Sequence, residues 1–190
     1  MTYEEMLALM ADRYEQTPKT LEELMNIIAF HETGPQQRMQ SDAMQIGGGP
    51  GQGLFQFEAG PEQGGATAMQ RLRNFLMRAE EGPKMSQDML PAFTDFDRQK
   101  GVEAAMLTPE QQKMMLLADY RMREDASLKG VTPENLAQFY QKYHYAGDEN
   151  RIPAFKESMD AYFNQKTVDG VIDSPEDAAF DIGAMPQAYQ

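Results

Sequence analysis

Glu32 is the first residue whose type and position could support catalysis. It follows Leu24 and Ile28 at intervals of four residues, so its carboxyl group continues the apolar stripe of a predicted helix. It also lies in the last turn, where the helix dipole is negative. Burial and the dipole both disfavour the anion, and we expect them to raise the pKa of this carboxyl group. A carboxyl that stays protonated near neutral pH can act as a general acid. The alternative is a polar residue that only ends the helix.

A second group of residues follows a glycine-rich loop. Five glycines lie between positions 47 and 53, and the run Gly-Leu-Phe-Gln occupies residues 53–56. Gln56 offers a neutral donor and a neutral acceptor, which could bind a ligand amide or hydroxyl group or could be satisfied by the backbone. The loop lacks the Gly-Lys-Ser/Thr ending of a phosphate-binding loop, and a strand-like run follows it instead of a helix. We therefore expect no nucleotide site here.

Two further carboxylates lie near this run. Asp42 is in the loop, and Glu58 follows Gln56 by two residues, which on a strand would place both side chains on one face. Either carboxylate could activate a water molecule in an inverting hydrolase. The chain has two histidines and no cysteine, and proline stands four residues after His31 where a zinc motif would need histidine. We expect neither a metal site nor another cofactor.

The elements that would position these residues are mostly helices. Apolar periodicity and capping residues predict them over residues 3–15, 16–34, 62–82, 107–126, 131–147 and 152–165, with a short helix and turn over 85–101. Thr108, Pro109 and Gln111 make a strong helix start, and Gly34 before proline predicts the end of the second helix. The only predicted strand is 53–58, paired with part of the preceding loop. The predicted fold class is mainly α, with one small β element around residues 53–58.

Composition and charge limit the domain organisation and the partners. The chain has 190 residues, of which 41% are hydrophobic and 25% charged, which is typical of a globular domain. Residues 167–190 carry five acidic residues and no lysine or arginine, so we predict a helical domain over 1–166 and an acidic C-terminal arm over 167–190. A net charge of −13 argues against nucleic-acid binding. No apolar run is long enough to span a membrane, and the N-terminus lacks the basic region of a secretory signal.

Three motifs, in this order, resemble those of the lysozyme-like lytic transglycosylases. They are His-Glu-Thr-Gly around Glu32, Gly-Leu-Phe-Gln at residues 53–56 and Tyr-His-Tyr-Ala-Gly at residues 143–147. The longer run GPGQGLFQFE, residues 49–58, is similar to virion-associated members of this superfamily in tailed bacteriophages. The resemblance covers residues 20–165. It implies an α+β lysozyme-like fold within the mainly α class.

The resemblance also implies roles for the first two motifs. Glu32 would protonate the leaving oxygen of a glycosidic bond and then act as the base for the sugar C6 hydroxyl. Phe55 and Gln56 would form part of the substrate-binding cleft, with Phe55 as an apolar wall for a sugar. One carboxylate would be enough, because the acetamido group and the C6 hydroxyl of the substrate can take the nucleophilic roles that a second carboxylate has in hydrolases.

The chain departs from the family pattern at several positions. Thr33 stands where the family commonly has serine. In the third motif His144 occupies the position of the family tyrosine, and Tyr145 occupies that of the asparagine. The family tyrosine is expected to orient the catalytic acid, so here His144, Tyr143 or Tyr145 would do so.

The expected function is therefore cleavage of the bond between N-acetylmuramic acid and N-acetylglucosamine in peptidoglycan. The enzyme would be a lytic transglycosylase or muramidase, made in the bacterial cytoplasm and carried in a phage particle. Its expected partners are the glycan strand and other virion proteins. The alternative is a virion structural or assembly protein that keeps a lysozyme-like fold with little or no activity. The negative charge fits both, because a particle-bound enzyme is delivered to the wall by attachment and needs little affinity of its own.

Overall fold

A computed structural model describes residues 2–44, 51–58, 107–123, 126–143 and 151–168. These residues are mainly helical, which confirms the predicted class. The chain divides into two compact units, Met1–Gly130 and Val131–Gln190. None of the described helices is long and apolar enough to cross a membrane. The predicted helix over 62–82, the predicted helix and turn over 85–101, and nearly all of the predicted arm over 167–190 lie outside the described residues.

Helix α1, Tyr3–Arg13, begins at a complete capping box. The Thr2 side chain accepts a hydrogen bond from the Glu5 N–H at 3.2 Å, and the Glu5 carboxylate accepts one from the Thr2 N–H at 2.8 Å. These two bonds satisfy backbone donors that the first helical turn leaves open. One face of α1 is buried, and α1 packs against both of the other helices that the structure describes in the first unit.

Helix α2, Pro18–Gln37, begins at Thr17, whose side chain accepts from the Thr20 N–H at 3.0 Å. The predicted apolar stripe is confirmed, since the exposed fraction is 1% or less at Leu21, Leu24, Met25 and Ile28. Gly34 has φ 64° and ψ 176°, which breaks the helical geometry before the last turn. The predicted stop at Gly34 is therefore a break in the helix, after which one more turn continues to Gln37.

Helix α3, Pro109–Met122, has the predicted start. Thr108 caps it, Pro109 is the first helical residue and the Gln111 side chain accepts from the Thr108 N–H at 2.9 Å. Its middle is buried on every side, because the seven consecutive residues 114–120 are all buried. Among the described helices of the first unit, α3 is thus the most completely buried.

A polar contact joins the three helices at one point. The Glu22 carboxylate on α2 accepts a hydrogen bond from the Tyr3 hydroxyl on α1 at 3.1 Å and forms a 3.0 Å ion pair with Lys113 on α3. Burial, and then the charge of Glu22, raise the pKa of the Tyr3 phenol far above its ordinary value. The contact fixes the relative positions of the helices near the start of α3.

The small β element is a tight hairpin. Strands β1, Gly51–Gln52, and β2, Phe57–Glu58, are antiparallel, with Gly51 opposite Glu58 and Gln52 opposite Phe57. The pairing of Phe57 and Glu58 with Gly51 and Gln52 is the predicted pairing with the preceding loop, and a separate bridge joins Met44 to Gln52. The β element is therefore confirmed, but the prediction of one strand over 53–58 is wrong: residues 53–56 form the turn between the strands.

The second unit contains two described helices, α4, Pro133–Tyr143, and α5, Arg151–Val168. They pack against each other, and the rings of Tyr140 and Phe155 lie 4.5 Å apart between their centroids. The helix predicted over 152–165 is confirmed, and α5 extends past the predicted start of the arm at residue 167 by two residues.

Candidate functional site

Glu32 lies at the edge of the core of the first unit. Its side chain is half-buried, whereas Leu24 and Ile28, eight and four residues earlier, are buried with 1% and 0% of their surface exposed. The break at Gly34 comes two residues later. Glu32 continues the spacing of the buried stripe, but its side chain is only half-buried, whereas the spacing predicted a buried carboxyl group. The expectation of a raised pKa at this carboxyl group stays a prediction.

Thr33 fixes the chain as it leaves this part of α2. It is 1% exposed, and its hydroxyl donates to the Ala29 carbonyl oxygen at 2.8 Å while accepting from the Met39 N–H at 2.8 Å. One side chain thus ties the regular part of the helix to the loop that follows the break. Thr33, which stands where the family commonly has serine, is therefore a buried residue that anchors the loop next to the candidate acid.

Tyr120 is a neighbour of Glu32 that the sequence analysis missed. It is fully buried on α3, and burial raises the pKa of its phenol well above the ordinary value. The negative charges of Asp119 and of Glu32 raise this pKa further, and the nearby Arg123 opposes them. The charge of Glu32 thus acts on the phenol from another helix. The candidate acid is therefore coupled electrostatically to a buried tyrosine.

The charges beside Tyr120 are arranged as an ion pair within α3. Asp119 is 2% exposed and lies 3.0 Å from the Arg123 guanidinium, four residues further along the helix. Pairing compensates a carboxylate that would be costly to bury alone. Glu32 is thus not the only carboxylate near the phenol, but it comes from a different helix.

The turn of the hairpin carries Gln56 in an unusual backbone conformation. Gln56 has a φ of 48°, a backbone angle that residues other than glycine rarely adopt, and Gly53 has a φ of 75°. The Gln56 side-chain Nε2 donates to the Gly53 carbonyl oxygen at 2.9 Å. The Gln56 Oε1 atom is buried and has no hydrogen-bond partner among the described residues. The Nε2 atom of this amide is therefore hydrogen-bonded within the turn, whereas its Oε1 atom is not.

Phe55 lies inside the first unit. It is 1% exposed, and its ring centroid lies 5.7 Å from that of Phe57, which is 5% exposed. In this conformation Phe55 stabilises the turn by packing in the core of the first unit. The expectation that it forms a sugar-facing wall would require the ring to become accessible.

Gln112 on α3 is a second residue that sequence reasoning missed. It is 0% exposed, and its amide contacts three backbone groups of the first unit. Its Oε1 accepts from the Leu54 N–H at 2.6 Å, and its Nε2 donates to the carbonyl oxygens of Ser41 at 2.8 Å and Leu107 at 3.0 Å. In the sequence Gln112 stands between Gln111 and Lys113, so no local signal marked it as buried. Its partners follow from the fold, because a buried amide must find hydrogen bonds.

The third motif falls partly outside the described residues. Tyr143 ends α4 in the second unit, where it is half-buried, lies 4.9 Å from Phe139 between ring centroids, and has Lys142 Nζ 4.6 Å from its own centroid. His144 and Tyr145 lie outside the described residues. The expected contact of these three residues with Glu32 stays a prediction.

Asp42 and Glu58, the two carboxylates that could have activated a water molecule, lie in different settings. Asp42 is exposed in the loop between α2 and the hairpin. Glu58 lies on β2, but Gln56 lies in the turn, so the argument that a strand places both on one face does not hold. Within the described ranges, no group of three or more His, Asp and Glu side chains could hold a metal ion.

Comparison with known proteins adds no relative. No protein-family model, no curated protein and no solved structure matches this chain. The functional argument therefore depends on the three motifs and on the geometry around Glu32 and the hairpin turn.

Proposed function

We propose that the chain cleaves the glycosidic bond between N-acetylmuramic acid and N-acetylglucosamine in peptidoglycan, with Glu32 as the proton donor. The observation that carries the proposal is the position of Glu32, half-buried beside the break in α2, where its charge acts on the buried phenol of Tyr120. The resemblance of three ordered motifs to lytic transglycosylases supports the same reaction.

The surroundings of Glu32 suit proton transfer to a leaving oxygen. A partly buried carboxyl is easier to keep protonated than an exposed one, because burial penalises the anion. Tyr120 remains a neutral phenol, so it adds no negative charge that would oppose the carboxylate formed when Glu32 gives up its proton. After bond cleavage that carboxylate can accept the proton of the C6 hydroxyl as the anhydro sugar closes.

The setting of the reaction is part of the proposal. The net charge of −13 gives the protein no electrostatic attraction to anionic wall polymers. A protein built into a phage particle does not need that attraction, because the particle delivers it to the wall. We therefore place the enzyme among the virion proteins of a tailed bacteriophage.

Digestion of purified peptidoglycan tests the proposal. Wild-type protein should release fragments with 1,6-anhydro ends if it is a transglycosylase, or reducing ends if it is a hydrolase, and mass spectrometry distinguishes the two. Glu32→Gln should abolish the release while leaving the melting temperature within a few degrees or raising it, because the amide is a neutral replacement at the edge of the core.

Glu23→Gln is a matched control, because Glu23 is also a half-buried glutamate of α2 and lies nine residues before Glu32. It should keep full activity. Equal activity in Glu32→Gln and wild type would refute the assignment of the acid. Folded wild-type protein that releases no fragments would instead favour a virion assembly protein without activity.

A further inference from the structure

We infer that Gln112 is the positioning residue for the hairpin turn that carries Gln56. Its effect on catalysis rests on the proposed function, whereas its effect on the turn does not. Gln112 is fully buried, so it cannot contact a substrate itself and acts only through the backbone groups that it binds.

The amide of Gln112 joins three separate segments of the first unit. The Leu54 N–H in the turn donates to Oε1 at 2.6 Å. Nε2 donates to the Ser41 carbonyl oxygen in the loop before the hairpin and to the Leu107 carbonyl oxygen just before α3. Both functional groups of the amide are therefore engaged, and an apolar side chain of the same size would leave three backbone groups without these partners.

The turn also packs directly on this amide at Gly53. A Cβ atom at Gly53 would lie 2.3 Å from Gln112 Oε1 and 2.9 Å from its Cδ, and the φ of 75° is one that residues with side chains rarely adopt. The backbone of the turn thus approaches α3 more closely than any residue with a side chain would permit. The hydrogen bond to Leu54 and the close approach of Gly53 fix two consecutive residues of the turn against Gln112.

Gly53 accepts two hydrogen bonds from Gln56. The Gly53 carbonyl oxygen accepts from the Gln56 N–H at 3.3 Å and from the Gln56 side chain at 2.9 Å. A shift of Gly53 therefore moves both the backbone and the amide of Gln56. Contacts run without interruption from α3 through Gln112 and Gly53 to the candidate substrate-binding residue.

α3 also connects this turn to the candidate acid. Gln112 and Tyr120 lie on the same helix, eight residues or about 12 Å apart along its axis. Gln112 holds the turn, and the charge of Glu32 acts on Tyr120. The buried helix is therefore a common support for the two parts of the proposed site.

Gln112→Met tests the inference, because methionine keeps the length and volume of the side chain but removes its hydrogen bonds. The Leu54 amide should exchange its hydrogen at least about tenfold faster than in wild type, since its acceptor is lost. On soluble glycan strands kcat/KM should fall at least about tenfold, because a small displacement of a binding group has effects of this size.

Leu117→Ala is the control for a general loss of stability, because Leu117 is a 0% exposed core residue of the same helix with no part in the turn. Measured at a temperature where both variants are folded, it should lower the melting temperature at least as much as Gln112→Met. It should nevertheless keep the protection of the Leu54 amide and most of kcat/KM.

A double-mutant cycle tests the same contact from the other side. Gly53→Ala should disturb the turn severely in wild type, because the new Cβ meets the Gln112 amide. In the Gln112→Ala background that collision is absent, so the additional loss of kcat/KM from Gly53→Ala should be smaller. Additive losses, or a Leu54 amide that stays protected in Gln112→Met, would overturn the inference. Wild-type protein without glycan cleavage would overturn the proposed function alone, and exchange at Leu54 would still decide the role of Gln112.

Discussion

The two parts of the proposed site are held by different kinds of interaction. Glu32 is placed by apolar packing, since Leu24 and Ile28 on the same stripe of α2 are buried in the core. Gln56 is placed by hydrogen bonds, through Gly53 and the buried amide of Gln112. Packing tolerates small adjustments of many neighbours, whereas a hydrogen bond to a buried group depends on a few atoms at fixed distances.

This difference predicts how each part should respond to mutation. Loss of the packing around Leu24 and Ile28 should lower the free energy of unfolding of the whole unit, because many core residues take part in this packing. A loss of one hydrogen-bonding group at the turn or at the helix break should act locally and should be sensitive to single atoms.

The largest expected effect is on the packed side. Leu24→Ala should lower the free energy of unfolding by about 2–5 kcal/mol, because it removes a buried side chain and leaves a cavity. Leu9→Ala is the same substitution at a position that is 38% exposed, and it should cost less than about 1 kcal/mol. Urea unfolding followed by circular dichroism measures both. Similar losses at the two positions would show that the stripe of α2 does not anchor Glu32 by burial.

A smaller effect is expected at the helix break. Thr33→Val keeps the shape of the side chain but removes the acceptor of the Met39 N–H, and it should cost about 1–3 kcal/mol. Thr33→Ser keeps the hydroxyl and loses only one methyl group, so it should cost about 0.8 kcal/mol. The midpoints of urea unfolding of the two variants show whether the hydroxyl or the methyl group of Thr33 contributes more to stability. A serine variant that is less stable than the valine variant would show that packing, and not the hydroxyl, holds the loop.

The smallest effect concerns Tyr120 and appears only in alkali. Its folded-state pKa is raised by burial and by the neighbouring carboxylates, while in the unfolded chain it titrates near pH 10. The protonated phenol therefore contributes its full stabilisation below about pH 10. This contribution is lost as the pH rises towards the folded-state pKa, because the phenol releases its proton at lower pH in the unfolded chain than in the folded one. The loss should be about 1.4 kcal/mol per pH unit for one phenol.

Tyr120→Phe should reduce this slope between about pH 10 and 11.5, as measured by urea unfolding at several pH values. Tyr3→Phe is a useful comparison, because the pKa of Tyr3 is raised by burial and by Glu22 rather than by Glu32. An unchanged slope in Tyr120→Phe would mean that the phenol is not held neutral next to the candidate acid.

The features that sequence predicted well are local ones. The start of α3 at Thr108 and Pro109 and the apolar stripe through Leu24 and Ile28 depend on residues within one or two helical turns. The break at Gly34 has the same origin, since glycine before proline rarely continues a helix. The sequence predicted that the helix ends at Gly34 and that Glu32 continues the buried stripe, whereas the helix resumes for one turn after Gly34 and Glu32 is half-buried.

The features that sequence did not predict depend on contacts between distant residues. Residues 53–58 alternate in a way that is typical of a strand, but the positive φ of Gln56 turns the chain, and glutamine gives no sign of this conformation. Gln112 and Tyr120 belong to a helix whose residues look like ordinary core. Their proximity to the turn and to Glu32 follows from the packing of α3, which no periodicity in the sequence shows.

The Gln112 amide has one more consequence, for the chain topology. It binds both the Leu54 N–H and the Leu107 carbonyl oxygen, so it holds together two residues that are 53 positions apart in the sequence (107 − 54). The entropy of closing a loop between fixed ends grows only slowly with its length, by about 0.6 kcal/mol for each doubling. A change in the number of residues between Leu54 and Leu107 should therefore alter the entropic cost of this closure only slightly.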